Sequence, residues 1–269
     1  MKKLDEKKYI SMLEYFCWHR LKSKSQIFQD LFVIYFTGLK KNGFFLEIGA
    51  ADGVNSSNTF LIEKNLNWNG IVCDPLPTWH ESLEKNRKCI IDKRCVYESS
   101  NLEMIFEDCY KNPGISGLKK ELDMDHNHNL RKDSKSIKVK TVSINDLLEE
   151  HNAPKNIDYI SIDTEGSEFS ILKELDLTKY NVSIFTIEHN FIEEKRNKVR
   201  QLLEKNNYLR VFEKISRFDG WYVKKNNPLL NIFYVSMPVI ASGMMHNSCG
   251  RNAILGFMRR AAEIPEILS

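Results

Sequence analysis

The stretch that most narrows what this chain can become is "FFLEIGAADGVNSSNT", residues 44 to 59. An apolar run holding one acid, Glu47, enters Gly49-Ala50-Ala51-Asp52-Gly53. Ser56, Ser57, Asn58 and Thr59 then precede an apolar helical pattern, and Ser56 or Ser57 serves as its cap. A buried strand that passes through a glycine turn into a helix is the opening unit of an α/β fold. Such turns usually cradle phosphate, yet Glu47 and Asp52 bracket this one with negative charge.

The same rhythm continues downstream. "GIVCDPLP" reads as a second strand that ends in an acid and a proline, and Gly70 stops the helix before it. A helix near Trp79 to Asn86 leads to a strand at "KCII". "RCVYES" and "LEMIFEDCY" alternate like a β-hairpin or meander. Residues 111 to 138, with "NPG", "SG" and "HNHN", read as a long loop or insertion. Then come "IKVKTVSINDLLEEHNAP" (strand, short helix), "NIDYISIDTEGSEFSILKEL" (strand, acidic turn, helix), "VSIFTIEHN" (strand) and "EEKRNKVRQLLEKNN" (helix). "YLRVFEKI" and "DGWYVKK" close as two strands. The expectation is a mostly parallel sheet with helices on both faces. Upstream, residues 5 to 40 look helical, with Ser25 as cap and Gly43 as stop. The chain divides into an N-terminal helical segment (1–40) packed on the core, a core (41–225), and a C-terminal extension (226–269). In that extension "NAILGFMRRAAEI" reads as an amphipathic helix, a packing appendage or an oligomer contact.

With 42% hydrophobic and 28% charged residues, the 269-residue chain has the balance of a soluble globular protein. Its formal charge of +3 is too small to argue for nucleic acid or an anionic membrane. The basic stretch Lys111 to Lys140 reads as a solvated loop. Six cysteines without a CxxC pair suggest a reducing compartment. The N-terminus lacks an apolar core of signal-peptide length. "LLNIFYVSMPVIA", broken by Asn231 and Pro238, is too short to span a bilayer. A cytoplasmic protein with no transmembrane segment is expected.

In doubly wound folds, ligands sit beyond the carboxyl ends of the strands. Three such ends are acidic here: Glu47 with its glycine loop, Asp74, and "IDTEGSE" with Asp163, Glu165 and Glu168. Asp74 lies about twenty residues past the loop, where an acid holds ribose hydroxyls in a dinucleotide fold. The glycine spacing nevertheless argues against NAD, whose G-x-G-x-x-G is absent, and no G-x-x-x-x-G-K-[ST] is present. Asp52 would repel phosphates. S-adenosyl-L-methionine suits the acids better, because it has ribose hydroxyls, a positive sulfonium and no phosphate.

At this point the sequence resembles the FkbM-type methyltransferase family. The resemblance is carried by "SQIFQD", "GFFLEIGAADGVNSSNT", "NWNGIVCDPLP" and "IDYISIDTEGSE", and more loosely by "DGWYV", together spanning roughly residues 25 to 223. It implies a Rossmann-like class I methyltransferase fold, seven-stranded, with the last strand antiparallel. It also implies transfer of the S-adenosylmethionine methyl group to hydroxyls of sugars, glycolipids or polyketide-type products. The glutamate usual at the end of the second strand is Asp74 here. The 111–138 region and the last forty residues fall outside the matched pattern.

Carried onto this chain, the resemblance has Gly49, Ala50 and Gly53 let the backbone approach the methionine portion. Glu47, Asp52, Ser57, Asn58 and Thr59 line the loop and the helix start, although Ser57 and Asn58 read equally as plain caps. Asp74 binds the ribose and Pro75 shapes the turn against the adenine. Asp163 also belongs to the cofactor set. Gln29 and Asp30 reach over the pocket or form the polar face of a packing helix. A hydroxyl needs a base or a metal before it attacks. Glu165, Glu188 and His189 are the candidate catalytic residues, and Asp163 with Glu188 could hold Mg2+ or another divalent ion through oxygen ligands. His189 reads equally as a histidine satisfied by nearby backbone. Glu168 reads as helix-terminus charge. Asp123, Asp125, His126 and His128 read as solvated rather than metal-bound. The expected acceptor is a carbohydrate or glycoconjugate. Two alternatives stay open: an NAD-type oxidoreductase and a non-catalytic Rossmann-like binding module.

Overall fold

The computed structural model describes residues 19–122, 127–213, 216–228 and 230. The C-terminal "NAILGFMRRAAEI" and the part of the N-terminal helical pattern before residue 19 lie outside these residues.

In chain order the elements are α1 (Gln29–Phe36), β1 (Phe44–Ile48), α2 (Phe60–Leu66), β2 (Asn69–Cys73), α3 (Pro77–Asn86), β3 (Ile90–Asp92), β4 (Cys95–Tyr97), β5 (Glu103–Asp108), β6 (Gly117–Leu118) and β7 (Lys135–Ser143). They continue with α4 (Ile144–Glu150), β8 (Asn156–Ile162), α5 (Glu168–Leu172), β9 (Asn181–Glu188), α6 (Glu193–Lys205), β10 (Tyr208–Val211) and β11 (Asp219–Lys224). Seven strands form the main sheet in the order β10-β11-β9-β8-β1-β2-β3. Only β11 runs against its neighbours, pairing antiparallel with both β9 and β10. The order reverses between β1 and β8, so the loops after these two strands face each other across the crevice where doubly wound folds bind ligands. This is the Rossmann-like class I methyltransferase arrangement.

β8 and β9 are buried on both faces along most of their length, with Tyr159, Ile160, Ile184 and Phe185 in the core and Ser161 and Thr186 among the buried polar exceptions. One face packs α1 and α2 through Leu31, Phe32, Ile62 and Trp221, with Phe32 stacked on Trp221 at 4.7 Å. The other packs α4, α5 and α6 through Leu147, Ile171, Val199 and Leu203. Among the described residues no helix is long and apolar enough to cross a membrane.

Four local expectations are corrected. Ser25 does not open α1; Phe28, in the left-handed region at φ 70°, immediately precedes it, while Ser25 Oγ still accepts the Asp30 N–H at 3.1 Å. That helix ends at Phe36, well before Gly43. Gly43 is small for a different reason: a Cβ there would lie 2.5 Å from the Trp68 indole. Asn67, left-handed at φ 55°, closes α2, and Gly70 sits inside β2 against the Phe45 carbonyl. Finally, β4 and β5 do not form a hairpin. They flank β7 in a second sheet, β4-β7-β5-β6, parallel on one side and antiparallel on the other. The insertion folds onto this sheet with short 3-10 turns at Pro113–Ile115 and His128–Arg131.

Candidate active site

A cleft of about 460 Å3 opens at the carboxyl edge of the main sheet. Its floor is Gly49 to Asp52 after β1, Asp74 to Leu76 after β2, Asp163 to Glu165 after β8, and Glu188 at the end of β9. Trp79, Val96, Phe106 and Leu118 supply an apolar side, and Asn112 to Gly114 of the insertion supply a wall. Gly49 holds φ +86°, and a Cβ there would fall 1.7 Å from the Asp163 carbonyl oxygen. Only glycine lets the β1 and β8 turns approach this closely.

The loop after β1 has almost no backbone donors left for a phosphate. Gly49 and Ala50 N–H both donate to the Cys73 carbonyl, at 2.9 and 3.1 Å, and Gly53 N–H donates to Ala50. Asp52 Oδ1 accepts Val54 and Asn55 N–H at 2.8 Å each, so this acid builds the turn as well as lining the cleft. Ala51 N–H donates to Asp74 Oδ2 at 2.8 Å, and Leu76 N–H to Asp74 Oδ1 at 3.0 Å. Burial pushes the Asp74 carboxyl up to about 6 despite these two bonds. A P-loop or dinucleotide fingerprint keeps its loop donors free; here they are consumed internally and the acids remain.

Several expected cofactor contacts lie elsewhere. Glu47 is buried beneath the loop, not in the cleft. It accepts Ser57 Oγ at 2.9 Å, Asn58 N–H at 2.6 Å, Thr59 Oγ1 at 2.6 Å and the Arg87 guanidinium at 3.1 Å. Ser57 and Thr59 are therefore occupied by Glu47, and Asn58 Nδ2 donates to Ser161 Oγ at 2.9 Å. The left-handed Gly53 (φ +79°) serves packing: a Cβ would meet Leu83 at 2.7 Å and Arg87 at 2.8 Å. Gln29 donates to Asp219 Oδ2 at 2.8 Å, and Asp30 binds Ser23 Oγ and the Lys24 and Leu31 N–H groups. Both are walled into the first core rather than reaching over the pocket.

Carboxylates converge at the far end of the cleft. Asp163, Glu165 and Glu188 each offer an oxygen within 4.8 Å of the others. Carboxylates this close, Asp163 and Glu188 among them, disfavour each other's ionised form. Burial, and then the neighbouring Glu168 carboxylate, raise Asp163 to about 7; burial and the Asp163 charge push Glu188 well above its ordinary value. Glu188 Oε2 is buried without a hydrogen-bond partner. Glu165, left-handed at φ 56°, is held by Arg131 at 2.6 Å. Glu168 organises the turn by accepting Thr164 and Gly166 N–H at 3.0 and 2.8 Å, a local structural use of its charge.

Behind the cluster, burial and then Asp163 raise Asp219 to about 8. These raised carboxyls have a consequence for stability. Between about pH 4 and pH 8 the folded chain holds protons that the unfolded chain has already lost, so stability falls as pH rises through this window. Melting temperature measured from pH 5 to pH 8 is expected to drop, and the drop should shrink in Asp219→Asn. A melting temperature that climbs over this range contradicts the assignment.

A profile of the family described as the Methyltransferase FkbM domain matches residues 47–210, more than half of the chain. The chain belongs to the FkbM methyltransferase family. A search of curated proteins finds no match. Among solved structures, the chain is similar to precorrin-6y C5,15-methyltransferase from Geobacter metallireducens GS-15, at 10% identity and a TM-score of 0.37, covering 72% of this chain and 85% of that one.

Membership of the FkbM methyltransferases implies S-adenosylmethionine, and the cleft fits it. Apolar side chains face the acids across the floor, and the buried Glu188 Oε2 lacks the donor or positive charge that a cationic ligand brings. Gly49 and Ala50 would border the methionine portion, Asp74 the ribose, and Pro75 and Leu76 the adenine. Leu76, Trp79, Val96, Phe106 and Leu118 escaped the sequence reading. They carry no polar signature; β4, β5 and β6 bring Val96, Phe106 and Leu118 in from a separate sheet to meet Leu76 and Trp79, which follow β2.

In this FkbM chain His189 is corrected as a base. It does not line the cleft. Its Nδ1 accepts the Phe191 N–H at 3.2 Å, and its Nε2 lies 3.4 Å from Arg210. Burial, and then the Arg210 and Arg196 charges, lower it to about 4, so it is neutral and weakly basic. Asp123, Asp125 and His126 lie outside the described residues.

Proposed function

We propose that this S-adenosylmethionine-dependent methyltransferase methylates a hydroxyl of a sugar, glycan or glycoconjugate. The observation that carries the reading is the convergence of Asp163, Glu165 and Glu188 at the cleft floor, their oxygens within 4.8 Å of one another, with Asp163 raised to about 7. A hydroxyl acceptor must lose a proton as it attacks, and a carboxylate held near neutral pH is suited to take it. When bound, the cofactor supplies an electrophilic methyl carbon on a sulfonium and leaves as a neutral thioether. The chain's own work is to align the acceptor oxygen with that carbon and to receive its proton on the Asp163–Glu188 pair. The polar wall at Asn112 and Ser116 supports a hydroxyl-rich acceptor.

A second reading has the same three carboxylates hold a divalent ion such as Mg2+ that lowers the pKa of the hydroxyl. It is favoured by their mutual 4.8 Å spacing and the unpartnered Glu188 oxygen. Loss of transfer on chelation, restored by magnesium, selects it over the base. We place the reaction in the cytoplasm.

The test combines calorimetry and labelled-methyl transfer across a set of sugars and nucleotide sugars. Asp74→Ala is expected to weaken S-adenosylhomocysteine binding about 10- to 100-fold, the cost of losing hydrogen bonds to a charged group. Wild-type affinity in Asp74→Ala would overturn the cofactor placement. Tight binding without transfer to any acceptor would favour the non-catalytic module. Preference for NAD over S-adenosylhomocysteine would favour the oxidoreductase.

A further inference from the structure

The Arg131 guanidinium ties the acidic end of the cleft to the insertion. Arg131 is only 7% exposed. Its Nη2 donates to Glu165 Oε2 at 2.6 Å, and its Nε donates to the Ile115 carbonyl at 2.9 Å. Ile115 lies between Gly114 and Ser116, two residues of the cleft wall. The backbones meet on either side of this tie. A Cβ on Gly117 would stand 3.3 Å from the Glu165 carbonyl, and one on Gly166 would fall 2.2 Å from the Glu121 carbonyl. Ser116 Oγ closes the turn by accepting the Cys109 N–H at 2.9 Å. The wall is thereby held at a set distance from the carboxylates, on the side where a proton leaves the acceptor.

Gly114 differs from the other close-packed glycines of this region. It sits in the 3-10 turn Pro113–Ile115, is absent from the positive-φ glycines, and a Cβ there would meet only Asn112 Oδ1, at 3.9 Å. Neither backbone conformation nor packing demands glycine at this position, yet the residue borders the cleft. A small residue that the fold does not need is explained by what the cleft must admit.

We infer that the Asn112–Ser116 turn is the acceptor subsite, that Gly114 sets the size of acceptor admitted, and that Arg131 is a positioning residue locking this wall to Glu165. The inference rests on the methyltransferase reading but not on the acceptor being a sugar. Asn112 and the polar edge of the turn face the acceptor, while Asp74 and the β1 loop face the cofactor. Enlarging residue 114 therefore removes acceptor volume and leaves cofactor volume intact.

The experiment compares wild type, Gly114→Ala, Gly114→Leu and Gly114→Trp by melting temperature, S-adenosylhomocysteine calorimetry and labelled-methyl transfer. The transfer panel holds sugars and nucleotide sugars alongside polyols, hydroxy acids and phenols. The expected result is unchanged melting and cofactor affinity within twofold throughout. Transfer should fall with side-chain size, by more than tenfold in Gly114→Trp, and most for the bulkiest acceptor. A tenfold loss of S-adenosylhomocysteine affinity in Gly114→Trp overturns the inference, because the turn would then cover the cofactor. Unchanged transfer by Gly114→Trp overturns it too. Methylation of only the non-sugar members refutes the sugar reading while leaving the size series to judge the subsite. Arg131→Lys, which keeps the charge but loses the two-pronged tie, is expected to raise acceptor KM more than it lowers kcat, with cofactor affinity unchanged. An equal loss of cofactor affinity would make Arg131 merely structural.

Discussion

Arg87→Ala is expected to lower the free energy of unfolding by about 3–5 kcal/mol, the cost of stranding a buried charge by removing its partner. The Arg87 side chain has no exposed surface. It faces Glu47 at 3.1 Å and Glu63 at 2.5 Å, and donates to Thr59 Oγ1 at 2.8 Å, with its guanidinium carbon 5.4 Å from the centre of the Phe45 ring. Removing it leaves two carboxylates, both nearly buried, without a counter-charge beneath the cofactor loop. The exposed pair Lys40–Asp158 provides the control: Lys40 is 47% exposed, and Lys40→Ala should cost less than about 1 kcal/mol. Urea unfolding followed by far-ultraviolet circular dichroism measures both. A loss in Arg87→Ala no larger than in Lys40→Ala would show that Glu47 and Glu63 are not held as described. In Glu47→Gln the loss should be smaller, because an amide can still accept from Ser57 and Thr59 without leaving a charge unpaired. Cofactor affinity should change less than stability in either variant, since neither side chain lines the cleft.

This buried network also shows where sequence reading stops. The elements that position the cleft were legible because their signals are local: the apolar run before Gly49, the acid and proline after β2, the acidic turn after β8. Which way a side chain faces was not. Glu188 and His189 are adjacent in an extended strand end, where successive side chains point to opposite faces. Only one of them can face the cleft, and their residue types do not say which. Glu188 does, and His189 turns toward Arg210. Glu47 likewise carries the acid expected of a cofactor loop, but its partners come from two places along the chain, the Ser57–Thr59 turn and Arg87, forty residues beyond Glu47. Gln29 meets Asp219 across 190 positions, a contact that no spacing rule reaches. The insertion was the least legible part. Between Tyr110 and Ser134 it has no sustained periodicity, yet it supplies the wall of the cleft through β6 and the Pro113–Ile115 turn.

Glu188→Gln is expected to cut methyl transfer by roughly 100- to 10,000-fold, the range spanned by positioned general bases, while S-adenosylhomocysteine binds with little change. The amide keeps the shape of the side chain, but it cannot receive the acceptor's proton. The pH profile separates this role from a purely electrostatic one. In the wild type burial holds both carboxyls above their ordinary range, and loss of a proton near the Asp163 value of about 7 frees a base. The wild-type rate should therefore rise with pH through that value. In Glu188→Gln burial and the Glu168 carboxylate still raise Asp163, so the residual rate should keep its rise near that value. Asp163→Asn gives the reciprocal case, because Glu188 then loses the carboxylate that helps hold it above its ordinary range. If Glu188→Gln lost cofactor affinity and turnover together, Glu188 would belong to the cofactor pocket rather than to proton transfer. If the residual rate in Glu188→Gln lost its dependence on pH through that value, Asp163 would not be the titrating group, and the divalent-ion reading of the three carboxylates would gain the argument.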